Sequence, residues 1–323
     1  MGRPEHHIRL RSSALSDRGR VRGNNEDNVL LWDSETQVLA AVADGMGGAV
    51  AGEKASKIAV ERVEAALVTN KDVNEESYND ITEDELAALL KHAIQAANRD
   101  IIDRATDFPE LKGMGTTLTL AFIRGRDVVL AHVGDSRAYL VDKYDNTIIQ
   151  ITRDHSFVQA LLEAGHIRAD EIDTHPMRNV LYRALGQGRD LEVDIIQNVQ
   201  LAYHDRLVLC SDGLTLHLTA DDIAQVATAS DDPQEIANEL VALANERGGR
   251  DNISAVVVIA EPTETRELNG VVNTDAYDGD TVVMPVNTHH NHSPEKIPEN
   301  SAYDTQEIPG IDNGGEGTDT SLF

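Results

Sequence analysis

The sequence predicts an α+β domain in which antiparallel sheets are covered by helices. Three observations carry that reading. Short apolar runs bounded by turn signals recur through the first 260 residues, strand-like runs are joined by hairpin-length connections, and helical periodicity comes in pairs between groups of strands. A parallel sheet would instead need a crossover helix between neighbouring strands.

The elements follow in chain order. Ile8, Leu10, Ser12 and Ala14 alternate as an opening strand, and residues 38–43 form an apolar run ended by Gly45, a second strand. Helical spacing then appears at Ala55, Ile58, Ala59, Val63, Ala66 and Leu67. Thr82 and Glu85 form a capping box ahead of another long helix carrying Leu86, Leu89, Leu90, Ala93, Ile94 and Ala97. Runs at 116–123, 128–133 and 137–141 read as strands, with turns at 125–127 and 145–146, and 206–210 is a further strand. One helix starts after Thr219. The next starts after Asp232, with Pro233 in its first turn and Gly248-Gly249 at its stop. Residues 252–259 close the domain as an apolar strand.

Composition bounds the function. With 28 Lys+Arg against 56 Asp+Glu, the chain carries a formal charge of −28, so a nucleic-acid partner is not expected. Its apolar runs fall far short of the roughly 20 residues that span a bilayer, so no membrane span is expected. Cys210 is the sole cysteine, which excludes an internal disulfide, and no Cys/His spacing suggests zinc. The N-terminus has no apolar signal core, and the expected location is cytoplasmic. Composition shifts once. We expect one domain over residues 1–260 and a disordered acidic tail over 261–323, where 13 acidic residues face 2 basic ones and apolar surface is scarce. The patch at 281–284 leaves partner docking as an alternative to a purely solubilising tail.

Chemistry concentrates at strand ends. Asp44-Gly45, Gly134-Asp135-Ser136, Asp212-Gly213 and Asp251-Asn252 each adjoin an apolar run. Each Asp-Gly could be only a turn. Together, however, carboxylates on one sheet edge would repel one another unless a cation sat among them, and all-oxygen ligation favours a hard ion such as Mg²⁺ or Mn²⁺. Other phosphate chemistries fail. Residues 47–56 lack the Gly-Lys-Ser/Thr ending of a P-loop, Cys210 has no arginine six residues on, and the Asp-Gly-Asp-Thr at 278–281 has no strand before it.

Six segments carry a resemblance: SDRGRVRGNNEDN at 16–28, ADGMGG at 43–48, GMGTTL at 113–118, VGDSRAYL at 133–140, CSDGL at 210–214 and RDNIS at 250–254. In this order they resemble the motif series of the metal-dependent type 2C serine/threonine protein phosphatases. Residues 152–186 are similar to the bacterial branch, where the segment forms a flap beside the active site. The resemblance implies a four-layer αββα sandwich of two antiparallel sheets, with two Mn²⁺ or Mg²⁺ ions between them and a third, weaker ion. It implies that Asp44 bridges the two ions, that Gly45 offers its carbonyl, that Asp212 and Asp251 complete a shell, that Glu26 holds bound water, and that Asp135 serves the third ion. Arg22 would grip the substrate phosphate, which makes Arg22 and Asp44 the catalytic candidates.

The expected reaction is hydrolysis of phosphoserine and phosphothreonine in proteins by a hydroxide between the two ions, opposing a bacterial serine/threonine kinase, with the enzyme a monomer. Where some members carry a histidine after Asp-Gly, this chain has Met46, so the acid for the leaving group is open. A metal-bound water is one candidate; His132 and His155 are weaker ones, with a structural role the better reading of each. The competing class is a phosphoprotein-binding module that keeps the fold. A pure binder has no need of Arg22, Asp44, Asp212 and Asp251 together.

Overall fold

In the computed structural model of this chain, residues 8–69, 75–172 and 174–263 are described. The elements run β1 (Ile8–Asp17), β2 (Asp27–Asp33), β3 (Gln37–Met46), α1 (Ala49–Leu67), α2 (Glu75–Asp80), α3 (Glu83–Asp107), β4 (Gly115–Thr116), β5 (Leu118–Arg124), β6 (Asp127–Val133), β7 (Arg137–Val141), β8 (Ile148–Gln150), α4 (Phe157–Glu163), β9 (Asp194–Gln200), β10 (Arg206–Cys210), α5 (Asp212–Thr215), α6 (Ala220–Ala229), α7 (Pro233–Glu246) and β11 (Ile253–Pro262). One sheet has the order β1-β11-β10-β7-β8 and the other β2-β3-β5-β6-β9, with β4 paired to β3. Every pairing is antiparallel.

Side-chain alternation explains the four layers. Along β3, Val38, Ala40 and Val42 turn to the opposite sheet, whereas Leu39, Ala41 and Ala43 turn to α1 and α3. Along β11, Val256, Val258 and Ala260 meet the first sheet's partner, and Ala255, Val257 and Ile259 meet α6 and α7. A strand covered on both faces has no polar side, so it reads as a continuous apolar run rather than an alternation. The abundance of alanine at these positions lets sheet and helix approach closely without large aromatic side chains. Helix ends match the expected chemistry: Thr82 and Glu85 close a capping box on α3, Thr219 and Asp222 another on α6, and Asp232 caps α7 ahead of Pro233.

Three strands were not among the expected elements: β2, β8 and β9. In β2 only Asp27 and Leu30 are buried, and β9 contains Asn198 at positive φ and faces a register shift in β6, so neither shows a clean period. The expected single strand at 116–123 divides at Thr117, whose N–H leaves the ladder to reach the Asp44 carbonyl at 2.9 Å. The tail, including 281–284, lies outside the described residues from 264 onward.

Candidate metal centre

Loops and strand ends from both sheets open into one cleft of about 730 Å³, lined by Arg22, Glu26, Asp44, Gly45, Asp135, Asp212 and Asp251 among others. All seven candidate site residues are thus brought together. Arg22 and Glu26 lie on the β1–β2 loop and Asp44-Gly45 at the end of β3, while Asp135 sits in the β6–β7 turn. Asp212 opens α5 directly after β10, and Asp251 stands just before β11.

Hydrogen bonds set each position. Asp44 N–H donates to Thr117 Oγ1 at 2.9 Å, and its carbonyl accepts from Thr116 Oγ1 at 2.8 Å. Thr117 Oγ1 also meets Ser136 Oγ at 2.7 Å, which ties the Asp135 turn to Asp44. Asn252 staples two loops to β11: its Oδ1 accepts from Glu26 N–H at 2.8 Å, and its Nδ2 donates to the carbonyls of Arg18 at 2.9 Å and Asn24 at 2.8 Å. Gly45 is packed so closely against the Gly52 carbonyl that a side chain there has no room.

The carboxyls act on one another electrostatically. Burial, then the charges of Asp27, Asp212 and Asp135, push the Asp44 carboxyl well above the ordinary carboxylate range. Burial and Asp212 do the same to Asp135, and burial and Asp251 raise Asp212. Glu26 is raised by burial against the opposing pull of Arg22. Asp44 and Asp212 are neighbours in the cleft whose charges act on each other, and grouped ionised carboxylates repel one another unless a proton or a cation sits among them. The donor set is entirely oxygen. Among the described residues no group of three His, Cys, Asp or Glu side chains encloses one ion; hard divalent ions also accept carbonyl oxygen and water as ligands.

One acidic neighbour was missed in sequence. Asp27 pairs with Asp44 in the β2–β3 register and is buried, and Ser254 Oγ donates to its Oδ2 at 2.7 Å. Burial raises its pKa to about 7. Its signal was present beside Glu26 in the NNEDN segment, but without β2 nothing placed it opposite Asp44.

The two histidines are structural. His132 is wholly buried, with Nε2 facing the Arg153 carbonyl at 3.0 Å and Nδ1 facing Thr119 Oγ1 at 2.9 Å, and burial lowers its pKa to about 3. His155 Nδ1 accepts from Gly134 N–H at 3.0 Å and its Nε2 meets Asp194 Oδ2 at 3.1 Å. Neither lines the cleft. Cys210 is buried in β10 with its thiol pushed up to about 12, chiefly by burial, which leaves it inert as a nucleophile.

Comparison with known proteins returns one family. The model of the family described as Protein phosphatase 2C matches residues 19–246. The chain is 38% identical over 244 residues to "Serine/threonine phosphatase stp" of Listeria welshimeri, a match covering 75% of this chain and 93% of that protein. It resembles the crystal structure of the Mycobacterium tuberculosis serine/threonine phosphatase PstP/Ppp with a TM-score of 0.68 at 37% identity, covering 78% of this chain and 99% of that one. A structure of the PstP catalytic domain in complex with two manganese ions gives a TM-score of 0.66 at 35% identity, covering 79% of this chain and 99% of that one.

Proposed function

Because this chain belongs to the protein phosphatase 2C family and is a metal-dependent protein-serine/threonine phosphatase, we propose that the cleft holding Arg22, Asp44, Asp212 and Asp251 is where phosphoserine and phosphothreonine are hydrolysed. The observation that carries this reading is the convergence of the half-buried carboxylates Asp44, Asp135, Asp212 and Asp251, with Arg22, on one cleft. Asp44, the Gly45 carbonyl, Asp212 and Asp251 would hold two divalent ions, with Glu26 steadying bound water and Asp135 serving a third, weaker ion. Mn²⁺ and Mg²⁺ both suit these ligands. When bound, such ions make water acidic enough to attack phosphorus near neutral pH and offset charge on the phosphoryl oxygens.

The chain's own residues do the rest. Arg22 Nη2 donates to Asp251 Oδ2 at 2.7 Å, which holds the guanidinium at the cleft wall, where its other N–H groups would grip a phosphoryl group. The hydrogen bond and charge of Asp251 raise its pKa, so Arg22 stays cationic throughout. Thr117, Ser136 and Asn252 hold the Asp44, Asp135 and Glu26 backbones in place, so the acidic groups are preorganised rather than gathered by the substrate. With Met46 after Asp44-Gly45 and no histidine among the described cleft residues, a metal-bound water would be the acid for the leaving oxygen. As part of the same proposal, the enzyme acts as a cytoplasmic monomer opposite a serine/threonine kinase. The single buried, unpaired cysteine suits a reducing compartment, and among the described residues no helix is long and apolar enough to cross a membrane.

The test is hydrolysis of p-nitrophenyl phosphate and of a phosphothreonine peptide with Mn²⁺, with and without chelator. Activity should vanish in chelator, and Asp44→Asn should lower kcat/KM by more than about 100-fold, since even outer-shell partners of a metal cost 10–100-fold. Hydrolysis that survives either change refutes the proposal.

A further inference from the structure

Arginines gather on the loop beside the cleft of a strongly acidic chain. The chain carries −28 overall, yet Arg18, Arg20 and Arg22 fall on one short loop, and Arg250 lies on the segment against which that loop is paired. Arg20 and Val21 N–H groups both donate to the Gly249 carbonyl, at 2.7 and 3.2 Å. A Cβ on Gly249 would stand 2.8 Å from Arg20 Cγ, so the Arg20 stem crosses directly over the residue before Arg250.

These charges are not used by the fold. Arg22 pairs with Asp251 and Arg247 with Asp222, whereas Arg18, Arg20 and Arg250 are exposed and have no ion pair among the described residues. The nearest loop carboxylate, Asp17, is engaged through Oδ1 by Gly19 N–H at 2.8 Å and Asn245 Nδ2 at 3.0 Å. The loop itself is held by main-chain groups, with the Arg18 carbonyl taking Asn252 Nδ2. Three exposed guanidiniums thus have no ion pair among the described residues, two on the loop that carries Arg22 and one on the segment paired with that loop.

We propose that Arg18, Arg20 and Arg250 bind carboxylates flanking the phosphorylated residue, so that the preferred substrates are phosphosites in acidic sequence. This rests on the phosphatase reading and narrows its substrate class. A protein of strong negative charge repels an acidic peptide everywhere except where local arginines reverse the field, and their planar forks suit carboxylates. Such rim contacts act on encounter and are screened by salt.

Two phosphothreonine peptides test this with the Mn²⁺-loaded full chain: one flanked by three Asp/Glu residues, the other by Gln at the same positions. At roughly twofold to threefold per exposed contact, kcat/KM should favour the acidic peptide by about tenfold at low salt, with the advantage shrinking as salt rises. The R18Q/R20Q/R250Q variant should lose that advantage while turning over the neutral peptide and p-nitrophenyl phosphate as the parent does; R20Q and R250Q singly should each lose part, should the triple variant fold poorly. Equal turnover of both peptides by the parent, or a preference retained by the variants, overturns the inference and leaves the phosphatase reading intact. If neither peptide is hydrolysed, the phosphatase reading falls and this inference with it.

Discussion

Asp44 sits where two requirements oppose each other. Burial and the neighbouring Asp27, Asp135 and Asp212 favour its protonated form, whereas cation binding needs it ionised. The consequence for stability has a definite sign. A carboxyl whose pKa is raised on folding contributes stability present below its ordinary pKa and lost as pH rises through the folded value, which is about 7 for Asp27. His132, lowered to about 3, works the other way, but its contribution is complete above its ordinary 6.5. In chelator, therefore, the thermal midpoint should fall between pH 6.5 and about 8, and saturating Mn²⁺ should remove the fall. Differential scanning fluorimetry checks this; a flat curve in chelator contradicts it. Gly52 makes a second residue-scale prediction. A Cβ there runs into Glu26 Oε2 and the Gly45 backbone, so Gly52→Ala should weaken Mn²⁺ binding by about 10- to 100-fold with helix content kept, as seen by calorimetry and circular dichroism. Unchanged affinity would mean that Glu26 has no part in holding the ions.

Among the elements, the excursion between β8 and β9 is joined to the Asp135 turn through His155. His155 N–H donates to the Gly134 carbonyl at 2.7 Å, Gly134 N–H donates back to its ring, and Tyr182 N–H donates to the His155 carbonyl at 3.0 Å. Just beyond, Ser156 bridges Leu181, and Leu185 bridges Thr116 beside Asp44. The returning stretch lends Asn179, Val180 and Leu181 to the cleft wall. Asp194 is held at about 2: burial opposes this, but the His155 hydrogen bond and Arg183, at 2.6 Å, outweigh it. His155→Ala should cost about 1–3 kcal/mol by leaving buried partners unpaired. It should also lower kcat/KM on a phosphopeptide more than on p-nitrophenyl phosphate, because only the peptide reaches that wall. Equal losses on both would confine His155 to stability.

Across the whole molecule, the acidic cluster draws on both sheets: Asp44 and Asp27 come from strands of one, whereas Asp212, at the start of α5, and Asp251, just before β11, adjoin strands of the other. The sheets are held together by the apolar layer of Val38, Val42, Leu207, Val256 and their neighbours, so cleft geometry depends on that packing rather than on any single loop. The proposed domain boundary bears on this. If residues 1–260 are the catalytic unit, a chain ending at 263 should hydrolyse p-nitrophenyl phosphate with kcat/KM within about twofold of the full chain and melt at the same temperature. A large loss in either would place part of the working unit in the tail.

Residues whose signal is local were legible in the sequence. The strands Arg137–Val141 and Arg206–Cys210 match to the residue because both faces are buried and turn chemistry bounds them; the α3 capping box is a matter of four adjacent positions. Every candidate site residue was named from motif segments, and all of them line the cleft. What pattern could not supply was adjacency. β2 and β9 lack a clean period, Asp27 acquires meaning only opposite Asp44, and the exposed arginines gain theirs only once the Gly19–Val21 stretch pairs with Gly249. Composition, periodicity and caps act between near neighbours along the chain and determined the elements and the chemistry available; the packing of one sheet on the other, summed over distant apolar contacts, alone decided which carboxylates share a cleft and which charges stand beside it.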